Sequence, residues 1–199
     1  MNYNTVEYER SFGTSSQLTP SEGPEIAFAG RSNVGKSSLL NKLFNRKKLA
    51  YVSSTPGKTA TINFFRSGDV RFVDLPGYGY AQVSKSERGR WSELIEGYFN
   101  QDRNFALVAS LIDIRHPATD LDETMVGFLL EADLPFCIVL TKGDKLSHSK
   151  RQAQKAALAR QLELPPNIPL VVTSSLKGSG MDDLRAVIDQ AIAAAEGRR

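Results

Sequence analysis

Cysteine and histidine are scarce in this chain of 199 residues, and their scarcity excludes two kinds of site. Cys137 is the one cysteine, so the chain cannot form an internal disulfide. Because Cys137 lies within the apolar run Pro135–Leu140, we expect a buried thiol. The two histidines, His116 and His148, are far apart and have no cysteine cluster near them. A structural zinc site, which needs closely spaced cysteine or histidine ligands, is therefore not expected.

Long apolar runs are also missing. No segment reaches the roughly 20 apolar residues that span a bilayer, and residues 1–10 lack the apolar centre of a signal peptide. We therefore expect a cytoplasmic protein with no membrane partner. The formal net charge of +3 permits a partner rich in RNA but does not demand one. A monomer is the default expectation.

From residue 25 onward, the apolar pattern alternates between strands and helices. Residues 1–24 are predicted to form an N-terminal arm that can hold one edge strand, and residues 25–199 a single domain. A hairpin is predicted at 61–74, and strands rich in Val, Ile and Leu then alternate with helices. The later predicted strands are 105–113, 136–140 and 170–173, and the predicted helices are 38–44, 84–100, 121–131, 148–162 and 181–195. This pattern indicates an α/β fold with a mostly parallel sheet and helices on both faces.

A glycine-rich segment joins the first predicted strand of the domain to its first helix. Residues 30–37 read Gly-Arg-Ser-Asn-Val-Gly-Lys-Ser, a G-x-x-x-x-G-K-S pattern. Glycines let the backbone come close enough for several N–H groups to point at one anion. Lys36 then supplies a positive charge for the β- and γ-phosphates, and the Ser37 hydroxyl can bind Mg²⁺. The phosphate-binding residues predicted here are Gly30, Arg31, Ser32, Asn33, Val34, Gly35, Lys36, Ser37 and Ser38.

Two further segments can complete a magnesium and γ-phosphate site. Asp74 can hold Mg²⁺ through water and the Gly77 N–H can meet the γ-phosphate, although Pro-Gly is also typical of a simple turn. In the long connection 45–60, Thr59 is the favoured second Mg²⁺ ligand and Thr55 is its rival. Loss of the γ-phosphate would release both segments, which makes an order-to-disorder switch. The predicted nucleotide contacts are Gly57, Lys58, Thr59, Asp74, Leu75, Pro76 and Gly77, and the predicted metal ligands are Ser37, Thr59 and Asp74.

Recognition of the base is predicted from two segments at the ends of parallel strands, where open α/β sheets bind ligands. A carboxylate at Asp144 can accept hydrogen bonds from the ring N–H and amine of guanine, and adenine would leave it unpaired. The Lys142 stem can lie over the base while its ammonium stays in water. Ser174 and Ser175 can present backbone N–H groups to the guanine carbonyl. The predicted base-binding residues are Thr141, Lys142, Gly143, Asp144, Thr173, Ser174 and Ser175.

In this order the segments resemble the EngB family of bacterial GTPases, within the translation-factor-like P-loop GTPases. The resemblance runs from about residue 5 to about residue 195, and Tyr78-Gly79-Tyr80-Ala81 is its most specific part. It also rests on residues 30–38, 55–59, 63–65, 74–77 and 113–117. The resemblance implies a three-layer P-loop GTPase fold with a six-stranded sheet that contains one antiparallel strand. It further implies a Mg²⁺-dependent GTPase that acts on the large ribosomal subunit precursor, with its rRNA and ribosomal proteins as partners, and that is needed for cell division and septation.

Catalysis is predicted to depend on Lys36, Thr59 and Asn33. Ras-like enzymes place a glutamine after Asp-x-x-Gly to orient water, whereas this chain has Tyr78, so hydrolysis should be slow without an activator. Asn33 resembles the asparagines of potassium-activated GTPases, which help bind a K⁺ ion in place of an arginine finger. A K⁺ site is therefore our hypothesis, and the alternative is that Asn33 only shapes the loop.

Two other functional classes remain open. A small-molecule kinase could use the same loop, although Asp144 argues against adenine and no lid for an acceptor substrate is evident. An adaptor for division proteins would bind nucleotide with little turnover.

Trp91 is interpreted as packing. A set of basic residues is interpreted as a solvated face, with rRNA contact as the alternative: Lys145, Lys150, Arg151, Lys155 and Arg160.

Overall fold

The computed structural model of the chain describes residues 1–50, 60–79 and 85–197. Within these residues there are seven strands and five α-helices. The strands are β1 (Glu7–Phe12), β2 (Glu25–Gly30), β3 (Ile62–Ser67), β4 (Val70–Asp74), β5 (Phe105–Asp113), β6 (Phe136–Thr141) and β7 (Leu170–Val172). The helices are α1 (Lys36–Leu43), α2 (Lys85–Phe99), α3 (Asp120–Glu131), α4 (His148–Gln161) and α5 (Met181–Glu196).

All of these strands belong to one sheet with the order β1-β3-β4-β2-β5-β6-β7. Strand β3 is antiparallel to both β1 and β4, and the other pairings are parallel. The predicted fold class is confirmed, with β3 as the one antiparallel strand. The sheet gains a seventh strand because the N-terminal segment supplies β1 at its edge. Only Phe12 of β1 is buried, so the sequence carries little of the alternation that marks a strand.

Each face of the sheet is covered by helices, because the central strands alternate their side chains between two apolar cores. Ile26 and Phe28 of β2 pack in the core beneath α1 and α5, whereas Ala27 and Ala29 face the core beneath α2, α3 and α4. Cys137 is fully buried, as predicted, and burial raises the pKa of its thiol to about 12. None of the helices in the described ranges is long and apolar enough to span a membrane.

A buried ion pair fixes the start of β2. The Glu25 carboxylate accepts hydrogen bonds from Arg103 Nε at 2.9 Å and Arg103 Nη2 at 2.8 Å, and a third from the Tyr98 hydroxyl at 2.9 Å. Both charged side chains are completely buried. The guanidinium also donates to the Thr19 carbonyl, so the pair connects the N-terminal segment to the central strand. This arrangement anchors the end of β2 opposite the glycine-rich loop.

Candidate functional site

The glycine-rich loop leaves β2 and enters α1 through a left-handed residue. Gly35 has a φ of +100°, a conformation that side chains disfavour, and α1 then begins at Lys36, two residues before the predicted start. At Gly30, a side chain would meet the Leu111 and Val34 side chains at 3.0 Å, so a larger residue would force these neighbours to shift. The Thr141 hydroxyl donates to the Val34 carbonyl at 2.7 Å. The loop is therefore held against β5 and β6.

Lys36 and Asp74 meet at the mouth of this loop. Lys36 Nζ forms an ion pair with Asp74 Oδ1, and the two side chains are only 10% and 9% exposed. The amide of Asn63 donates to the other carboxylate oxygen of Asp74 at 3.4 Å. A phosphate would compete for the Lys36 ammonium, and a divalent cation would compete for the Asp74 carboxylate. The predicted phosphate and metal residues of these two segments thus lie together.

The segment after Asp74 packs directly on the loop. The Tyr78 carbonyl accepts hydrogen bonds from the Ser32 N–H at 2.8 Å and the Ser32 hydroxyl at 3.2 Å. A side chain at Gly77 would lie 3.2 Å from the Ser32 backbone, so a larger residue would push the two segments apart by a few tenths of an ångström. Trp91 donates from Nε1 to the Pro76 carbonyl at 3.0 Å, in keeping with its predicted packing role. The segment is therefore braced on two sides.

Tyr78 points away from the loop mouth into the protein. Its ring is 3% exposed, its hydroxyl donates to Asp122 Oδ1 at 3.1 Å, and burial followed by the Asp122 charge raises the pKa of the hydroxyl well above its usual range. Asp122 also caps α3 by accepting hydrogen bonds from the N–H and hydroxyl of Thr119. The sequence indicated that Tyr78 cannot act as the Ras glutamine does, but it did not reveal this link to α3.

The Lys142 ammonium is paired with protein groups, although 29% of the side chain remains exposed. Lys142 Nζ donates to the Asn33 carbonyl and pairs with Asp113 Oδ2, each at 2.9 Å, because the backbone of Lys142 turns left-handed at φ +61°. Arg115 pairs with the same carboxylate at 2.7 Å. Although burial works in the opposite direction, the hydrogen bonds from Arg115 and Lys142 lower the pKa of Asp113 well below its usual range. Lys142 therefore ties the glycine-rich loop to the end of β5.

Asp144 is oriented by a serine of the second base-binding segment. The Ser174 hydroxyl donates to Asp144 Oδ1 at 2.6 Å, and this hydrogen bond is the main cause that lowers the pKa of the carboxyl. The two segments are also joined through the backbone, since the Gly143 N–H donates to the Thr173 carbonyl at 2.9 Å. The Asp144 carboxylate is thus held at the end of β6, with 10% of its side chain exposed and Lys145 Nζ at 3.9 Å from Oδ2.

The predicted donor role of Ser174 needs correction. Its backbone N–H donates to the Ser179 carbonyl at 3.0 Å, because residues 174–179 close into a turn. The Thr173 N–H is likewise taken, by the Leu140 carbonyl at 2.8 Å. Ser175 is therefore the backbone donor left from the predicted set 173–175. Thr55, Gly57, Lys58 and Thr59 lie outside the described residues.

The chain is similar to known GTP-binding proteins over most of its length. Residues 25–142 match the family model described as 50S ribosome-binding GTPase. A probable GTP-binding protein EngB from Chlorobaculum tepidum is 51% identical over 193 residues, which cover 95% of this chain and 98% of the relative. The protein of the same name from Syntrophomonas wolfei is 47% identical over 184 residues, 92% of this chain and 94% of its own.

Solved structures share the fold. The crystal structure of a probable GTP-binding protein EngB superimposes with a TM-score of 0.72 at 24% identity, covering 85% of this chain and 99% of the other. Era from Aquifex aeolicus superimposes with a TM-score of 0.61 at 22% identity, covering 84% of this chain and 56% of the other.

Proposed function

The chain belongs to the family of 50S ribosome-binding GTPases and, with its EngB relatives, is a P-loop GTP-binding protein; from that premise we propose that it is a GTP-controlled switch in large-subunit assembly. In this role it binds the precursor's rRNA and ribosomal proteins in one nucleotide state and leaves in the other. It acts in the cytoplasm as a monomer, and cell division and septation depend on it. Residues 25–199 serve as the single GTP-binding domain, and residues 1–24 form its arm.

The observation that carries the guanine assignment is the Asp144 carboxylate, oriented by Ser174 at the same edge of the sheet as the glycine-rich loop. A carboxylate is an acceptor only, so it pairs with the ring N–H and amine of guanine. Adenine has no ring N–H and no amine at these positions and would leave the carboxylate without a partner. The Ser175 N–H is the proposed donor to the guanine carbonyl.

The phosphates are proposed to lie over the loop, where Lys36 exchanges its Asp74 partner for the β- and γ-phosphates. Freed from Lys36, Asp74 can hold Mg²⁺ together with Ser37 and Thr59, since these are the hard oxygen ligands that Mg²⁺ prefers. When bound, Mg²⁺ neutralises charge on the phosphates. The remaining phosphate contacts come from the backbone of residues 30–38, 57–58 and 74–77, apart from the N–H groups of Ser32 and Leu75, which donate to the carbonyls of Tyr78 and Phe28.

Hydrolysis is proposed to be slow without an activator, because Tyr78 is buried against Asp122 and presents no polar group to the attacking water. Asn33 has a left-handed φ of +63° and its carbonyl accepts from Lys142, so it shapes the loop. Its side chain is exposed, and we propose that it also binds K⁺. Turnover should then be faster in KCl than in NaCl at matched ionic strength, and equal rates would exclude this K⁺ role.

Base recognition is tested with Asp144→Asn. The wild type should bind GDP and a non-hydrolysable GTP analogue with Mg²⁺, and reject ATP. In the variant, the amide can donate as well as accept, so preference should move toward xanthosine nucleotides by about tenfold or more. The matched control is Asp120→Asn on the exposed start of α3, which should keep guanine preference. If the wild type binds ATP as well as GTP, the guanine assignment is wrong and a kinase becomes the better interpretation.

The assembly role is tested by sedimentation. Wild-type protein loaded with the GTP analogue should migrate with large ribosomal subunit particles, and protein loaded with GDP should not. Association with septal proteins alone, independent of the nucleotide, would instead favour the adaptor.

A further inference from the structure

A compact basic loop follows α1, and nothing in the nucleotide site uses it. We define the basic loop as residues 42–50, Lys-Leu-Phe-Asn-Arg-Lys-Lys-Leu-Ala, which comprise the last two residues of α1 and the loop after it. The buried side chain of Asn41 closes it: Nδ2 donates to the Ala50 carbonyl at 2.8 Å, and Oδ1 accepts from the Ala50 N–H at 2.7 Å. The Arg46 N–H also donates to the Asn41 carbonyl at 2.8 Å. The loop therefore has one defined shape instead of being a loose connection.

Two other elements brace the basic loop from outside. Arg185 of α5 donates to the Leu43 carbonyl at 2.8 Å and to Asn45 Oδ1 at 3.1 Å, which caps the end of α1. Near the N-terminus, Asn4 accepts hydrogen bonds from Asn45 Nδ2 at 2.7 Å and Arg46 Nη2 at 3.2 Å. Apolar residues of the loop face inward, with Leu43 and Phe44 fully buried. Hydrogen bonds from three parts of the fold thus order this loop before any partner arrives.

The surface that the basic loop presents is almost entirely cationic. Lys42, Arg46, Lys47 and Lys48 are exposed, and the loop contains no acidic residue. Within residues 1–50, 60–79 and 85–197, none of these four forms an ion pair with a carboxylate. The large apolar side chains of the loop are buried or half-buried, so it lacks the exposed aromatic or aliphatic anchors of protein interfaces.

We propose that the basic loop binds the phosphate backbone of RNA. Unpaired cations on an ordered loop suit a polyanion, because each phosphate contact releases condensed counterions and little conformational freedom is lost on binding. The eight residues of α1 place the loop about 12 Å from the glycine-rich loop, so RNA and nucleotide do not compete for one site. The inference rests on the proposed function, in which the RNA is that of the large ribosomal subunit.

The experiment compares two variants of equal charge. Lys47→Gln with Lys48→Gln removes two cations from the basic loop, and Lys150→Gln with Arg160→Gln removes two exposed cations from α4. Each protein is titrated by filter binding with protein-free RNA extracted from bacterial large ribosomal subunits, over a range of salt concentrations. GDP affinity is measured in parallel and should be unchanged in both variants.

For the basic-loop variant, we expect the slope of log affinity against log salt to fall in magnitude by about 1.4 to 1.8. At about 0.15 M salt, this corresponds to a roughly 10- to 30-fold weaker RNA affinity. The α4 variant should stay close to wild type. Equal losses in both variants would overturn the proposal, because they would show a response to net charge alone. The proposal would also be overturned if polyglutamate displaced the RNA when both were present at the same concentration of negative charges.

Sedimentation separates this inference from the proposed function. One outcome is that wild-type protein migrates with large-subunit particles in a GTP-dependent manner, and that the basic-loop variant equals it in migration, in RNA affinity and in salt dependence. The proposed function then stands and the basic-loop inference is wrong. If the wild type never migrates with the particles but its RNA binding depends on the basic loop, the inference stands and the assembly role is wrong.

Discussion

Single side chains tune the carboxylate that we propose binds the base. The Ser174 hydroxyl lowers the pKa of Asp144 by donating to the carboxylate, so Asp144 keeps its charge as the pH falls. A serine 30 residues further along the chain could not be assigned this role from the motif, which names only the acidic residue. The pairing exists because β6 and β7 are neighbours, which places the two segments side by side.

Ser174→Ala is expected to make guanine nucleotide affinity more sensitive to acid. Without the hydroxyl, the pKa of Asp144 rises toward its ordinary value, so the carboxylate is protonated at a higher pH and loses its acceptor function there. Titration of fluorescent GDP between about pH 7 and pH 4 should show affinity lost at higher pH in the variant than in wild type. Ser149→Ala, on exposed α4, is the control. Superimposable pH profiles would contradict this account of Asp144.

Cys137 should be unreactive in the native protein. Its thiol is fully buried and its pKa is raised to about 12, so almost no thiolate exists at neutral pH. A chromogenic disulfide reagent at about pH 8 should therefore modify Cys137 only after the protein is unfolded in denaturant. Stoichiometric modification of the folded protein at the rate of a free thiol would show that β6 opens readily.

Among the structural elements, the phosphate loop was predictable and its supports were not. The G-x-x-x-x-G-K-S pattern encodes a backbone shape locally, through Gly30 and Gly35, and therefore survives in the sequence. The contact of Lys142 with Asp113 depends on the neighbouring positions of β5 and β6, and no local pattern encodes it. The same holds for the turn that uses the Ser174 N–H.

The link from Tyr78 to α3 can be measured as stability. Tyr78→Phe removes the donor to Asp122 Oδ1 and leaves that buried carboxylate oxygen unpaired, which should lower the free energy of unfolding by about 1 to 3 kcal/mol. Urea denaturation gives the value directly. Tyr8→Phe is the matched control, because Tyr8 is 54% exposed and its loss of a hydroxyl should cost less than about 0.5 kcal/mol. Equal losses of unfolding free energy in the two variants would mean that the Tyr78 hydroxyl stabilises the fold no more than the exposed hydroxyl of Tyr8 does.

For the molecule as a whole, the alternation of strands and helices was enough to predict the layered fold. It indicated only that the arm 1–24 could hold an edge strand and did not give the bounds or the pairing of β1, because five of the six residues of that strand are not buried and its partner β3 lies far along the chain. The buried pair of Glu25 with Arg103 was also missed. Charged residues are normally exposed, and only the assembled fold brings this pair together.

Glu25→Gln should destabilise the entire fold. The change leaves the Arg103 guanidinium buried without its counter-charge, and removal of one partner from a buried pair typically costs about 3 to 5 kcal/mol. The urea midpoint should fall accordingly. Glu22→Gln, whose side chain is 66% exposed, should change stability by less than about 1 kcal/mol. A shift at Glu25 no larger than that at Glu22 would show that the buried pair is dispensable.

The central position of β2 has a consequence for how the protein is made. Its neighbours in the sheet are β4 and β5, and both are synthesised later than the glycine-rich loop that β2 carries. Gly30 acquires its packing partner Leu111 only when β5 has left the ribosome. A nascent chain thus carries the whole phosphate-binding motif long before it has a binding site, and its capture of nucleotide would coincide with completion of the central sheet. Nucleotide in the surrounding medium would then favour the finished fold by mass action.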